Sequence, residues 1–229
     1  MLSTCLEEYL QKNPPAQQLY SDLSKIGNLY LIGGVLREYR DHNSIQALRD
    51  IDIIIENADS QTFDKICRHY HASRNSFNGY KIKCSDFLTD VWCLEDTWAY
   101  QKHILPASPS EYVAKLPFTV FLNIDAIIYD VKNDRWNDKI YQQAMKSRQL
   151  DIVLESNPHI MLNFVRTFIL RRRYNMTLSS KLQNCIQQHC HSKEELVNSL
   201  YSIQLKRYNH EILSRQQLET DLKTFCNIV

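Results

Sequence analysis

The chain has only four glycines in 229 residues, at 27, 33, 34 and 79, and two of them are adjacent. Gly33 and Gly34 stand between the apolar run from Leu29 to Ile32 and the segment Val35 to Tyr39. A short apolar run bounded by glycine reads as a buried strand, and the residues after the pair read as the start of a helix. Glycines at a strand-to-helix turn give the backbone geometries closed to other residues. They also leave amide groups bare at the positive end of the helix dipole. The turn is therefore either a tight structural corner or a cradle for phosphate, and Gly33 and Gly34 are the candidates for the second role.

Sixteen residues beyond Gly34, Asp50 and Asp52 flank Ile51 at the start of the apolar strand Ile51 to Ile55. A period of two puts both carboxylates on one face. Side by side they repel, and a divalent cation bridging their oxygens removes that penalty; a pair of surface aspartates closing a loop is the plainer reading. Asp90 opens another apolar strand in Leu88-Thr-Asp-Val-Trp-Cys-Leu94, so three carboxylates are expected to converge on one sheet edge. Three such groups can hold two Mg2+ ions, with the third carboxylate also placed to accept a proton from an attacking hydroxyl. Asp50, Asp52 and Asp90 are thus the candidate catalytic and metal-binding residues, and Mg2+ the expected cofactor.

Leu31-Ile-Gly-Gly-Val-Leu-Arg37 followed by Asp50-Ile-Asp52 resembles the GG-x-x-R and D-x-D signature of the polymerase β nucleotidyltransferase superfamily. The likeness is greatest to the head of class II tRNA CCA-adding enzymes and bacterial poly(A) polymerases. Leu122-Asn-Ile-Asp-Ala-Ile-Ile-Tyr-Asp130 is similar to the FTINALAYD segment of that family. Asn157-Pro158 through Val165-Arg166, with Tyr174 to Leu178, is similar to the start of its helical neck. Over residues 20–180 the resemblance implies an α+β chain: a polymerase β-like head, a mixed sheet with flanking helices, followed by an all-helical C-terminal region. It implies transfer of NMP from an NTP, ATP first, to a hydroxyl acceptor such as an RNA 3' end, with release of pyrophosphate. A small-molecule or protein acceptor, as in antibiotic-modifying or toxin-type members, is the alternative, and a noncatalytic nucleotide- or RNA-binding module is another. By the same resemblance Gly33, Gly34, Arg37 and Arg166 are nucleotide-binding, with Arg37 either beside the phosphates or bracing Asp50 or Glu38.

The sequence also departs from the family. Thr119, Val120 and Phe121 stand where an Arg-Arg-Asp is usual. Ser156, Asn157 and Ile160 stand at the base-reading positions, with Asn163 in place of a further arginine. Fixed selection of one base is therefore not expected. Residues 181–229 are too few for the body and tail that grip the tRNA elbow, so a full CCA-adding enzyme is not expected either.

The first part of the chain reads as a head over 1–137, the rest as a helical region over 138–229. In the head, helices are expected over 3–12, 16–26 after a break at Pro14 and Pro15, and 61–69. Strands are expected over 80–84 and 89–93, and Phe118 to Asn123 and Ala126 to Tyr129 are expected to extend the sheet. Ser156, Asn157 and Pro158 read as the start of a helix reaching Arg173. Ser179 caps a second helix, Ser192 with Glu195 a third over 193–208, and a fourth runs over 214–226.

Charges nearly cancel, 27 Lys and Arg against 26 Asp and Glu, which excludes a strongly basic field over the whole protein. Arg171, Arg172 and Arg173 close the first neck-like helix, where they either cap carbonyls and face solvent or meet phosphates. The start of the chain lacks the long apolar run of a secretion signal, and the longest apolar runs are far short of a bilayer span. Seven scattered cysteines without a CxxC pair read as reduced thiols. A cytoplasmic protein is expected. Cys185 with His189 supplies only two of the four ligands that a structural zinc needs.

Overall fold

The strongest strand signal in the sequence, residues 50–56, lies at the centre of a seven-stranded sheet. The computed structural model describes residues 2–46, 48, 50–75, 77, 79–85 and 87–223. The chain divides into two compact units, Met1–Thr119 with Asp125–Ile140, and Val120–Ile124 with Tyr141–Val229.

The first unit holds the sheet. Its strands are β1 (Asn28–Ile32), β2 (Asp50–Glu56), β3 (Ser73–Arg74), β4 (Tyr80–Cys84), β5 (Phe87–Cys93), β6 (Ile128–Asp130) and β7 (Arg135–Asn137). They lie in the order β3-β4-β5-β2-β1-β6-β7. Only β2 and β5 pair in parallel, so the sheet is mixed. Ile53, Ile54 and Ile55 of β2 are buried together, as a continuous apolar run in a strand covered on both faces demands.

The helices of this unit are α1 (Leu2–Leu10), α2 (Pro14–Ile26), α3 (Gly34–His42) and α4 (Ser60–His69), with two single turns, α5 (Trp98–Gln101) and α6 (Tyr112–Lys115). Pro14 and Pro15 do not break the chain. They form the first turn of α2, where no amide is needed, and Asn13 caps it by accepting from the Ala16 amide at 3.2 Å.

Phe118 to Asn123 does not extend the sheet. Leu116–Phe118 and Asn123–Asp125 are tight 3-10 turns. Between them the chain leaves the sheet unit and pairs with the second one: Val153 donates to the Phe121 carbonyl at 2.8 Å and Leu154 to that of Val120 at 3.1 Å. Of the expected strand Ala126 to Tyr129, only its end contributes to β6.

In the second unit α7 (Lys139–Ser147), whose first two residues belong to the sheet unit, leads into a parallel two-stranded ladder of β8 (Gln149–Leu150) and β9 (Thr177–Leu178). Helices α8 (Ile160–Tyr174), α9 (Ser180–Gln188), α10 (Lys193–Tyr208) and α11 (Arg215–Lys223) follow. Ser179 and Ser192 cap α9 and α10 by accepting from the amides of Leu182 and Glu195, each at 3.1 Å. Ser156 does not cap α8. Asn157 closes its own turn by accepting from the His159 amide at 3.0 Å, which delays the helix to Ile160. The expected end of the last helix, residues 224–226, lies outside the described residues, as does Cys226. The other six cysteines are free thiols, and burial pushes those of Cys67 and Cys93 up to about 12.

Two of the three consecutive arginines are structural. Arg171 and Arg172 both pair with Asp221 of α11, Arg172 Nε at 2.8 Å, while Arg173 lies over the Tyr174 ring. Asp221 is only 4% exposed, so its charge depends on them. We predict that Asp221→Ala lowers unfolding free energy by about 2 kcal/mol, less than for a fully buried pair because the arginines are partly solvated. Urea denaturation checks this, and an unshifted midpoint contradicts it.

Candidate functional site

β1 ends at Ile32 and α3 begins at Gly34, so Gly33 makes the whole corner. Its φ of +79° strains any side chain. The neighbour adds a smaller demand: a Cβ on Gly33 would stand 3.2 Å from Asp52 Oδ2, and that carboxylate would have to give way slightly. The N-cap residue of α3 is Gly33, which has no side chain with which to cap the helix. The start of a helix and a carboxylate of β2 are thus brought within touching distance.

Register decides which side chains share a face. Asp52 is opposite Asp90 on β5, Asp90 is opposite Lys81 on β4, and Lys81 is opposite Ser73 on β3. Opposed residues project to the same side of a sheet, and Asp50 lies two residues from Asp52, so Asp50, Asp52, Asp90 and Lys81 lie on one face. Asp50 and Asp52 are half-buried, whereas Asp90 is only 9% exposed.

Asp90 has partners on both oxygens. Lys81 Nζ stands 2.6 Å from Oδ2, and Asn75 Nδ2 donates to Oδ1 at 3.0 Å. Asn75 in turn accepts from the amides of Phe77 at 3.0 Å and Gly79 at 2.9 Å, which ties the turn between β3 and β4 to the third carboxylate. Gly79 has no room for a side chain there: a Cβ would lie 3.0 Å from the Val91 carbonyl oxygen and 3.1 Å from Trp92 Cβ. Among the described residues no three His, Cys, Asp or Glu side chains are gathered as a ready metal cage. The three aspartates share a face, and a lysine shares it with them.

Arg37 braces the site, but not through Asp50 or Glu38. Its Nη1 donates to Asp125, in the turn that precedes β6, and Nη2 lies 4.0 Å from where a Gly34 side chain would begin. Both partners are nearly buried. One turn further along α3, Arg40 pairs with Asp138 and lies 3.8 Å over the Trp136 ring. Two arginines thus fix the helix that carries the glycine corner. Arg166 belongs to the second unit, half-buried on α8, where Asn163 also keeps a buried Nδ2 with no hydrogen-bond partner.

Lys81 and Asn75 are the site residues that sequence patterns did not single out. For Lys81 a signal existed. Only two residues separate the ends of β4 and β5, so the hairpin register itself pairs residue 81 with residue 90. For Asn75 none did, because β3 is two residues long.

No protein-family model matches the sequence, and no curated protein matches it. Solved structures do match. A tRNA-processing enzyme in an apo form superposes with a TM-score of 0.56 at 14% identity, over 91% of this chain and 54% of that one. A tRNA nucleotidyltransferase complexed with a primer tRNA and an incoming ATP analog gives 0.56 at 14% identity, over 86% and 57%. A CCA-adding enzyme with CTP gives 0.57 at 12% identity, over 87% and 46%. The chain has a nucleotidyltransferase fold. It spans about half the length of the structures it matches, from 46% to 57% of these three.

Two expectations test how the corner is built. Gly33→Ala should destabilise the protein by about 1–3 kcal/mol, since it combines a strained φ with a clash against Asp52; a melting temperature equal to wild type contradicts this. Arg37→Lys should cost about 2 kcal/mol in urea, since lysine keeps the charge but loses the fork that reaches Asp125. An unchanged midpoint would show that Arg37 is not a brace.

Proposed function

We propose that the protein is a divalent-metal-dependent nucleotidyltransferase that moves NMP from an NTP to a hydroxyl acceptor and releases pyrophosphate. The observation that carries this reading is the nearness of Asp52 to the glycine corner, its Oδ2 3.2 Å from where a Gly33 Cβ would stand. A helix start favours an anion and a carboxylate favours a cation, and a metal-bound triphosphate presents both charges. The fold shared with tRNA nucleotidyltransferases supports it.

The residues fit the roles. Carboxylate oxygens at Asp50 and Asp52 suit Mg2+, which takes hard oxygen ligands. Bound there, Mg2+ supplies Lewis-acid polarisation of the phosphoryl oxygens and offsets the charge that builds on the leaving pyrophosphate. The amides of Gly34 and the residues after it hold the β and γ phosphates, and the Arg37 guanidinium beside Gly34 adds positive charge. The acceptor hydroxyl attacks the α-phosphorus in line: its O–P bond forms as the bond to the β-phosphate oxygen breaks, and pyrophosphate leaves with that electron pair. Asp90 takes the hydroxyl proton.

Selectivity is relaxed or purine-biased, with ATP the first substrate. The acceptor class is a hydroxyl on RNA, on a small molecule or on a protein. The near-cancelled net charge of +1 favours a small or structurally restricted acceptor over a long RNA. Among the described residues no helix is long and apolar enough to cross a membrane. The six free thiols favour a reaction in the reducing cytoplasm.

With Mg2+ and a panel of labelled NTPs, pyrophosphate release should be greatest with ATP and fall below about 1% of wild type in Asp52→Asn. Turnover unchanged in that variant rejects the assignment. A noncatalytic module would bind nucleotide and release none.

A further inference from the structure

We infer that Lys81 is the resident cation of the third carboxylate, so that this face takes one divalent ion, at Asp50 and Asp52, in place of the two that three aspartates would hold. The inference rests on the metal-dependent reading above and specifies its stoichiometry. Lys81 reaches Asp90 from β4, on the side of β5 away from β2, and its Nζ stands 2.6 Å from Oδ2. Asn75 takes the other oxygen at 3.0 Å. The Asp90 side chain is 12% exposed and Lys81 32%, so the ammonium is the more solvated partner and covers a carboxylate that water scarcely reaches.

Register gives the arrangement its logic. Across one row of the sheet the charges read Lys81 positive, Asp90 negative, Asp52 negative. Asp90 and Asp52 are two like charges at adjacent strand positions, and Lys81 offsets the charge of Asp90. With Lys81 in place, an ion on Asp90 has to displace the Asn75 amide from Oδ1 or share Oδ2 with an ammonium that repels it. The Asn75 turn holds Asp90 in this pairing: the amides of Phe77 and Gly79 fix the orientation in which its Nδ2 meets the carboxylate. Lys81 is therefore a positioning residue that acts through Asp90.

The test is a Mn2+ titration without nucleotide, followed by electron paramagnetic resonance of the free ion, on wild type and on Lys81→Met, Lys81→Arg and Asp52→Asn. Wild type should bind one ion at this site and lose it in Asp52→Asn. Lys81→Met should bind two, and Lys81→Arg, which restores the charge, should return to one. Two ions at this site in wild type, or one ion of equal affinity in a folded Lys81→Met, overturns the inference while leaving the metal reading intact. No Mn2+ bound by any of the proteins overturns the metal reading and this inference with it. Should Lys81→Met fail to fold, Asp90→Asn decides: one ion retained supports the inference, and loss of that ion overturns it.

Discussion

Parallel pairing of β2 with β5 sets Asp52 beside Asp90, about 4.8 Å apart at the backbone, and the rest of the site answers that placement. Like charges at opposed strand positions destabilise a sheet unless something positive meets them. On the β5 side the answer is Lys81. On the β2 side the start of α3 lies beside Asp52, at a corner that only glycine can turn. The face therefore runs from a carboxylate paired with Lys81 to a carboxylate pair beside the start of α3. A metal–triphosphate complex carries the complementary pattern.

Such an arrangement is useful only if the helix start cannot drift. Arg37 and Arg40 sit one turn apart on α3 and pair with Asp125 and Asp138. Those partners flank β6 and β7, the strands on the far side of β1 from β2. The helix is thus fixed across one half of the sheet while the carboxylates are presented from the other, and β1 with its glycine corner joins the two. Preorganised donors of this kind need no rearrangement when charge develops. The second unit is braced by the same chemistry, an aspartate shared by two arginines of α8.

Much of this was legible in the residues themselves. The alternation in Asp50-Ile-Asp52, the apolar strand that follows and the glycine pair are local signals, and the structure keeps each where the pattern put it. Serine caps at 179 and 192 are likewise local and were readable. What failed was decided by distant partners. Phe118 to Asn123 has strand composition, but the backbone groups of Val120, Phe121 and Asn123 meet Leu154, Val153 and Asp151 and not the sheet. Ser156-Asn157-Pro158 has the form of a helix start, yet Asn157 satisfies the chain two residues on and spends the cap there. Arg37 was readable as a brace, whereas its partner Asp125, 88 residues away, was not.

The central claim is that the β2 carboxylates and the glycine corner enclose a single cation position. Iron-directed hydroxyl-radical cleavage reads that position from the backbone itself. With Fe2+ and ascorbate, mass spectrometry of the fragments should show cuts clustered at Gly33–Gly34 and at Asp50–Asp52, with a weaker cut near Asp90, all suppressed by excess Mg2+. Diffuse cleavage, or a cluster elsewhere in the chain, would contradict the account.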